Sequence, residues 1–418
     1  MLRSLFTFLL ISTKALAFEP VPLIQDFTSM VNGQRVGMLK EQAFCYETEL
    51  KTVEGYQPDK LQRIASLSKL FTTLLAAETA DLRKTFKTKV YIGRESLHIE
   101  GGRDPYFEEE KLLLLFQALN DLGYQRFKRI SFSTDFKFWD VALESFKLVT
   151  PADTRARLLH YLNPKSEPAV RTIWQGILKF AAEENVTIDR TFPTLRADSV
   201  VISDANPLLG ENPKIYIHES KPFHKILKAM NVMSKNTVSQ NVYDDASRAL
   251  PFERLASENQ IPAASYRIYN GSGLPMSSRA GRLDNLATCR TVLRVIDLLT
   301  RSLEKQRLRA SDLLAVSGGK DLGTFRERFE EETDAHDALA AKTGTIRNAS
   351  AIAGLIFVDG RIPFAILNHS TNIELARRFQ DQFIGRMFHH LGRPAPLSYE
   401  KIPVFPWVNK PFLEASED

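Results

Sequence analysis

Ser66 and Lys69 stand three positions apart in "RIASLSKLFTTLLAAETA". Positions i and i+3 share one face of a helix, so the amine can reach the hydroxyl. A lysine that is neutral at working pH can take the serine's proton and make it a nucleophile for acyl transfer. Ser234-Lys235-Asn236 closes an apolar stretch, "KPFHKILKAMNVMSKN". It offers a second hydroxyl to pass a proton and an amide to orient the group. Lys342-Thr343-Gly344-Thr345 leads into two apolar runs, Ala351 to Val358 and Ile362 to Leu367, separated by Asp359-Gly360. That is a hairpin with a tight turn. It puts an amine, two hydroxyls and a glycine at a strand entry, where they can clamp a carboxylate.

Taken singly, the first two patterns carry little. Ser-x-x-Lys also starts at Ser302, Ser317 and Ser398, and Ser-x-Asn at Ser239, Ser257 and Ser370. Order and context narrow them. Ser66 begins a long apolar helix in which Leu67, Leu70, Phe71, Leu74 and Leu75 repeat at helical spacing. Ser317 lies in a glycine loop, Ser302 follows a helix, and Ser370 and Ser398 come after Lys-Thr-Gly. Ser234 ends an apolar helix, whereas Ser239 faces another way and Ser257 lies in the polar "SENQ".

The three elements in this order are those of penicillin-recognising enzymes. The chain resembles the penicillin-binding-protein-4-type D-alanyl-D-alanine carboxypeptidases/endopeptidases, the low-molecular-mass class C penicillin-binding proteins. The likeness extends through "ASLSK", "LHIEGGRDPYF", "IYIHESKPFHKILKAMNVMSKN", "YNGSGL", "AVSGGKDLGTFRERF" and "AKTGTIRNASAIAGLIFVDG", from about Val31 to Leu391. It implies an α+β chain with a penicillin-recognising, transpeptidase-like fold: an antiparallel sheet flanked by helices, plus a helical subdomain. It implies Ser66 as acylated nucleophile and Lys69 as its base. Ser234 would relay the proton to the leaving amine, and Asn236 would orient Lys69 and the substrate amide. Lys342, Thr343 and Thr345 would bind the terminal carboxylate, and Gly344 would let the peptide approach as an extra strand. The backbone N–H groups of Ser66 and Thr345 would form the oxyanion hole. The implied substrates are peptidoglycan stem peptides and cross-links, with β-lactams as covalent inhibitors. A β-lactamase-like hydrolase and a catalytically silent wall-binding protein are the alternatives. The first lacks a Glu-x-x-Leu-Asn segment here, and the second sits poorly with a complete set of motifs.

Three departures stand out. The family's usual acid inside Ser-x-Asn is Lys235, which is expected to point away from the cleft. The usual Asp-Gly-Ser-Gly-Leu begins with Asn270, and Leu322 is extra. Ser66 and Ser234 are 168 positions apart, short for two inserted subdomains. One inserted subdomain is therefore expected to be missing or trimmed, widening the cleft.

The elements that must position these residues divide the chain. "MLRSLFTFLLISTKALAFEP" has a basic start, a short apolar stretch and Ala15-Leu16-Ala17, the pattern of a secretory signal peptide over residues 1–17. Periplasmic or secreted export follows, with no transmembrane anchor. The peptidase domain is expected at 18–85 and 204–395. Between its halves, 86–203 mixes short strand-like runs with helices, an inserted α+β subdomain. Residues 396–418 read as a tail packed on the body. A hairpin is expected from Arg35–Leu39 to Ala43–Tyr46, and helices over Leu286–Leu299 and Asn372–Leu391. The net charge of +5 falls to +3 once the leader's Arg3 and Lys14 are removed, too little for nucleic-acid binding. The eight histidines offer no metal motif; His218 and His224 read as surface or capping residues, and no cofactor is implied. Cys45 and Cys289 sit in apolar segments, as buried free thiols do; whether they pair is open.

Overall fold

The computed structural model of the chain describes residues 22–48, 50–138, 149–279, 281–318, 323–399, 401 and 411–416. The leader expected over residues 1–17 lies outside them.

The first sheet is antiparallel throughout and has six strands. Their order is Ala315–Val316, Leu339–Ile346, Ala349–Phe357, Arg361–His369, Ala43–Glu47, Val53–Tyr56. The hairpin read around Asp359-Gly360 forms its centre, with Ala353 opposite Ala365. Almost every residue of these two strands is buried, because helices cover both faces. Pro22–Gln34 and Ile373–Leu391 pack together on one side, joined by Phe27, Phe44, Phe379 and Phe383. Ser68–Thr79 and Cys289–Lys305 pack together on the other.

The hairpin expected from Arg35 to Tyr46 does not form. Ala43–Glu47 pairs instead with Arg361–His369 and with Val53–Tyr56. Gln42 Nε2 donates to Met38 O and to His369 O, so the preceding turn wraps the end of the sheet. The helix expected from Leu286 starts at Cys289, capped by Thr288, whose side chain accepts from Thr291 N–H. Leu286–Thr288 is a strand between Leu61–Arg63 and Tyr266–Arg267. Cys45 and Cys289 form a disulfide that fastens the sheet to this helix.

A second, mixed six-stranded sheet has the order Glu414–Ala415, Lys214–Glu219, Lys87–Ile92, Ser96–Glu100, Arg126–Phe132, Arg196–Ile202. It reaches past the boundary expected at residue 203, because Lys214–Glu219 pairs along the whole of Lys87–Ile92. Two residues of the tail extend it, and Phe412 stacks on His218. His218 is thus buried rather than on the surface. Helices Glu109–Asp121, Pro151–Leu162 and Glu167–Glu183 belong to the same stretch of chain.

Candidate active site

Ser66 sits in a single 3-10 turn, Ala65–Leu67, that runs into helix Ser68–Thr79. Ala65 has φ +46°, a conformation that costs a non-glycine residue free energy and needs support from its surroundings. Two glycines give that support by letting backbone come close. A Cβ on Gly344 would stand 2.6 Å from Ile64 O and 3.1 Å from Ser66 N. A Cβ on Gly273, which has φ +80°, would overlap the Ala65 carbonyl. Gly344 therefore serves the packing of strand Leu339–Ile346 under the Ser66 turn, in addition to the expected role of admitting substrate.

The loop carrying Gly273 is tied down by its own polar groups. Asn270 Oδ1 accepts from the N–H groups of Ser272 and Gly273. Asn285 Nδ2 donates to Ser68 Oγ and to Asn270 O, at 2.8 and 2.7 Å. Thr72 and Ser239 hydroxyls both donate to Gly271 O. "YNGSGL" is thus the back wall of the Ser66 turn.

Lys69 is fully buried. Its Nζ lies 3.2 Å from Ser66 Oγ, 2.8 Å from Asn236 Oδ1 and 2.9 Å from Ser272 O. Two of these partners are pure acceptors. Of these three, only the Ser66 hydroxyl can donate a proton, so the lone pair of a neutral Lys69 would turn toward Ser66. This geometry suits a serine with its base, and it joins the first motif to the second.

Ser234 ends helix Phe223–Met233 in the left-handed region, φ 56°, which turns its side chain out of the helix into the cleft. Lys342 Nζ donates to Ser234 Oγ at 3.1 Å and to Thr343 O at 2.9 Å. Burial pulls the Lys342 amine down from 10.5 to about 7. Of the third motif, Thr343 and Thr345 line the cleft itself, with Ser66 and Ser234. Strand Ala315–Val316 pairs only with Ala340 and Ala341. From Lys342 to Ile346 the outer edge has no strand partner among the described residues, so an extended peptide can lie there.

The cleft holds about 750 Å³. Residues 323–332 and helix Ile373–Leu391 supply its far wall. Most of its arginines are spent on carboxylates: Arg326 on Glu183, Arg328 on Asp381, Arg378 on Glu374. Arg377 has no carboxylate partner among the described residues, and its Nη2 donates to Thr345 Oγ1 at 3.3 Å. Nothing in the sequence marks Arg377, since one arginine on an amphipathic helix is ordinary. Lys235 does turn away from the cleft, onto Glu108 and Glu110 of the inserted stretch.

Residues 196–387 match the D-Ala-D-Ala carboxypeptidase 3 (S13) family. Over that stretch the chain is similar to the S13 peptidases. The matched stretch includes the second and third motifs but stops short of Ser66 and Lys69, which the fold brings to them. No curated protein matches the chain in sequence. Among solved structures it is similar to the predatory endopeptidase Bd0816 of Bdellovibrio bacteriovorus, with TM-score 0.75 and 24% identity over 89% of this chain and 99% of that one. The penicillin G-acylated predatory endopeptidase Bd3459 of the same organism has TM-score 0.70 and 23% identity, over 90% and 99%. Penicillin-binding protein 4 of Haemophilus influenzae has TM-score 0.56 and 14% identity, over 88% and 99%. At such identities the likeness is one of fold.

Proposed function

We propose that the chain is a serine D,D-peptidase of peptidoglycan, acting as a D-alanyl-D-alanine carboxypeptidase and as an endopeptidase on cross-links. The observation that carries this reading is the buried Lys69 amine, held between Ser66 Oγ and Asn236 Oδ1 at the floor of a cleft with a free strand edge. The penultimate D-alanyl carbonyl lies over Ser66. Neutral Lys69 takes the Ser66 proton as Oγ attacks, and the carbonyl oxygen becomes negative between the N–H groups of Ser66 and Thr345. One such donor is typically worth ~10²–10³ in rate. Collapse breaks the amide bond; the proton passes from Lys69 through Ser234 to the leaving amine. A water then hydrolyses the ester on Ser66, giving its proton back through Lys69.

Free D-alanine as leaving group makes the enzyme a carboxypeptidase; the side-chain amine of a cross-linking diamino acid makes it an endopeptidase. Both leave a D-centre bearing a carboxylate, so Thr343, Thr345 and Arg377 serve both. A single inserted sheet over 87–219 among the described residues and a cleft of about 750 Å³ favour the bulkier, cross-linked substrate. β-Lactams acylate Ser66, as penicillin G acylates the similar Bd3459. The leader directs the chain to the periplasm or beyond the cell, where its substrate lies; no described helix is long and apolar enough to cross a membrane.

Digestion of purified sacculi, with muropeptides separated before and after, tests this beside Ser66→Ala. Conversion of cross-linked dimers to monomers is expected, together with loss of pentapeptides. Sacculi left unchanged by the wild-type chain would refute the reading.

A further inference from the structure

The second motif is gripped from behind by the inserted stretch. Glu108 is buried and stands immediately before helix Glu109–Asp121. One of its oxygens accepts from Lys235 Nζ at 2.7 Å, and the other accepts from the Thr237 hydroxyl. These two residues flank Asn236, whose Oδ1 accepts from Lys69. One carboxylate thus holds both neighbours of the residue that orients the base.

The surroundings reinforce the grip. Glu110 adds a second carboxylate 3.2 Å from Lys235 Nζ, and the ammonium lies 5.5 Å from the centroid of the Tyr106 ring. Asn241, farther along helix Asn236–Ala249, donates to Pro105 O. Segment 105–110 therefore docks along the helix that begins with Asn236. Glu108 also faces the start of that helix, where the peptide dipoles favour a negative charge. Burial pulls the Lys235 ammonium down, but Glu108 and Glu110 more than offset this and hold it charged.

We propose that Glu108 is a positioning residue for the acyl-transfer site: by holding Lys235 and Thr237 it fixes Asn236, and through it Lys69, against Ser66. The proposal rests on the functional reading above. It makes the inserted stretch part of the device that aligns the base, in addition to a boundary of the cleft. It also explains why a lysine is tolerated inside Ser-x-Asn. Its charge is neutralised by the insert and is kept out of the pocket that receives the substrate's carboxylate. Misplacing a catalytic group by about 1 Å can cost ~10² in rate.

The test uses the full chain and a fluorescent penicillin, with the maximal acylation rate and the half-saturating concentration measured separately. Glu108→Gln keeps the shape but loses one accepting oxygen and the charge. Thr237→Val removes only the second hydrogen bond. The double variant Glu108→Gln/Lys235→Met removes both members of the closest buried pair, so neither is left charged without the other. The expected result is a maximal rate lowered about 10- to 100-fold in Glu108→Gln and the double variant. For Thr237→Val a fall of about 10-fold is expected, and half-saturation should move less than about threefold in all of them. A purely structural residue would lower the fraction of active protein without slowing the molecules that remain folded. If wild type is acylated and the folded variants keep its rate within about twofold, the clamp is overturned and the function stands. A wild-type chain that takes up no penicillin overturns both.

Discussion

Gly344 lies against the carbonyl of Ile64 so closely that a single added carbon would stand 2.6 Å from it. The glycine of the third motif is thereby a spacer between the strand edge and the Ser66 turn. Gly344→Ala should push the turn and strand apart by several tenths of an ångström. Acylation is expected to fall by about 10²-fold, with a destabilisation of about 1–3 kcal/mol from overpacking. Fluorescent penicillin labelling and thermal melts check this; a variant that labels at the wild-type rate would show that the contact relaxes freely.

Lys342 gives the protein a stability that depends on pH. In the unfolded chain its amine keeps the ordinary 10.5; in the fold it drops to about 7. Between those values the unfolded state holds the extra proton, so this group makes stability rise with pH from about 7 to 10.5. Below 7 the buried charge carries its full cost, on the order of several kcal/mol. Lys342→Met should therefore melt above wild type at pH 6, with the gap closing toward pH 10. Melting curves of both proteins across this range would expose the error if the gap stayed constant.

The same titration bears on substrate. Above about pH 7 the free enzyme's Lys342 is neutral. A peptide carboxylate at the third motif must draw a proton back onto it, so KM should rise with pH through this region while the chain stays folded. Measuring KM from pH 6 to 9 settles the point; a flat profile would leave Lys342 without a part in carboxylate binding.

Arg377 supplies a guanidinium beside Thr345 in the cleft. Its removal by Arg377→Ala should raise KM about 10-fold for a carboxylate-bearing D-alanyl peptide, the scale of one charge-assisted hydrogen bond, and change kcat little. Arg377→Lys should rescue only in part, because an ammonium cannot keep Thr345 and a carboxylate in one plane. An amidated peptide, tested alongside, should be indifferent to the substitution. Equal loss on both peptides would assign Arg377 a structural role.

The Cys45–Cys289 disulfide closes a loop across 244 positions of sequence. Long loops lose the most unfolded-state entropy when closed, so Cys45→Ser/Cys289→Ser should cost about 2–5 kcal/mol. Activity at low temperature should survive, since neither cysteine lines the cleft. Denaturant titrations of the oxidised chain and the double variant measure the difference, and coincident curves would show that the bridge contributes nothing.

The sequence by itself offered the candidate chemistry-bearing residues and their order. It also determined the central hairpin and the helix after Ser66, because each is encoded by neighbours: continuous apolar runs about a short turn, or apolar residues at helical spacing. It did not reveal what depends on chain segments far apart. The strand Ala43–Glu47 pairs with the last strand of its sheet, more than 300 positions away. No local pattern could choose that partner over the nearer Arg35–Leu39. Nor could spacing show that Gly344 and Gly273 both press on the Ser66 turn. The disulfide partnership of Cys45 and Cys289 was equally hidden, as was the bond between Arg377 and Thr345. Lys235 is the clearest case: in sequence it is an odd cation within a motif. Only the packing of the inserted stretch decided its direction, because a buried ammonium goes where carboxylates can hold it, and those carboxylates lie on Glu108 and Glu110.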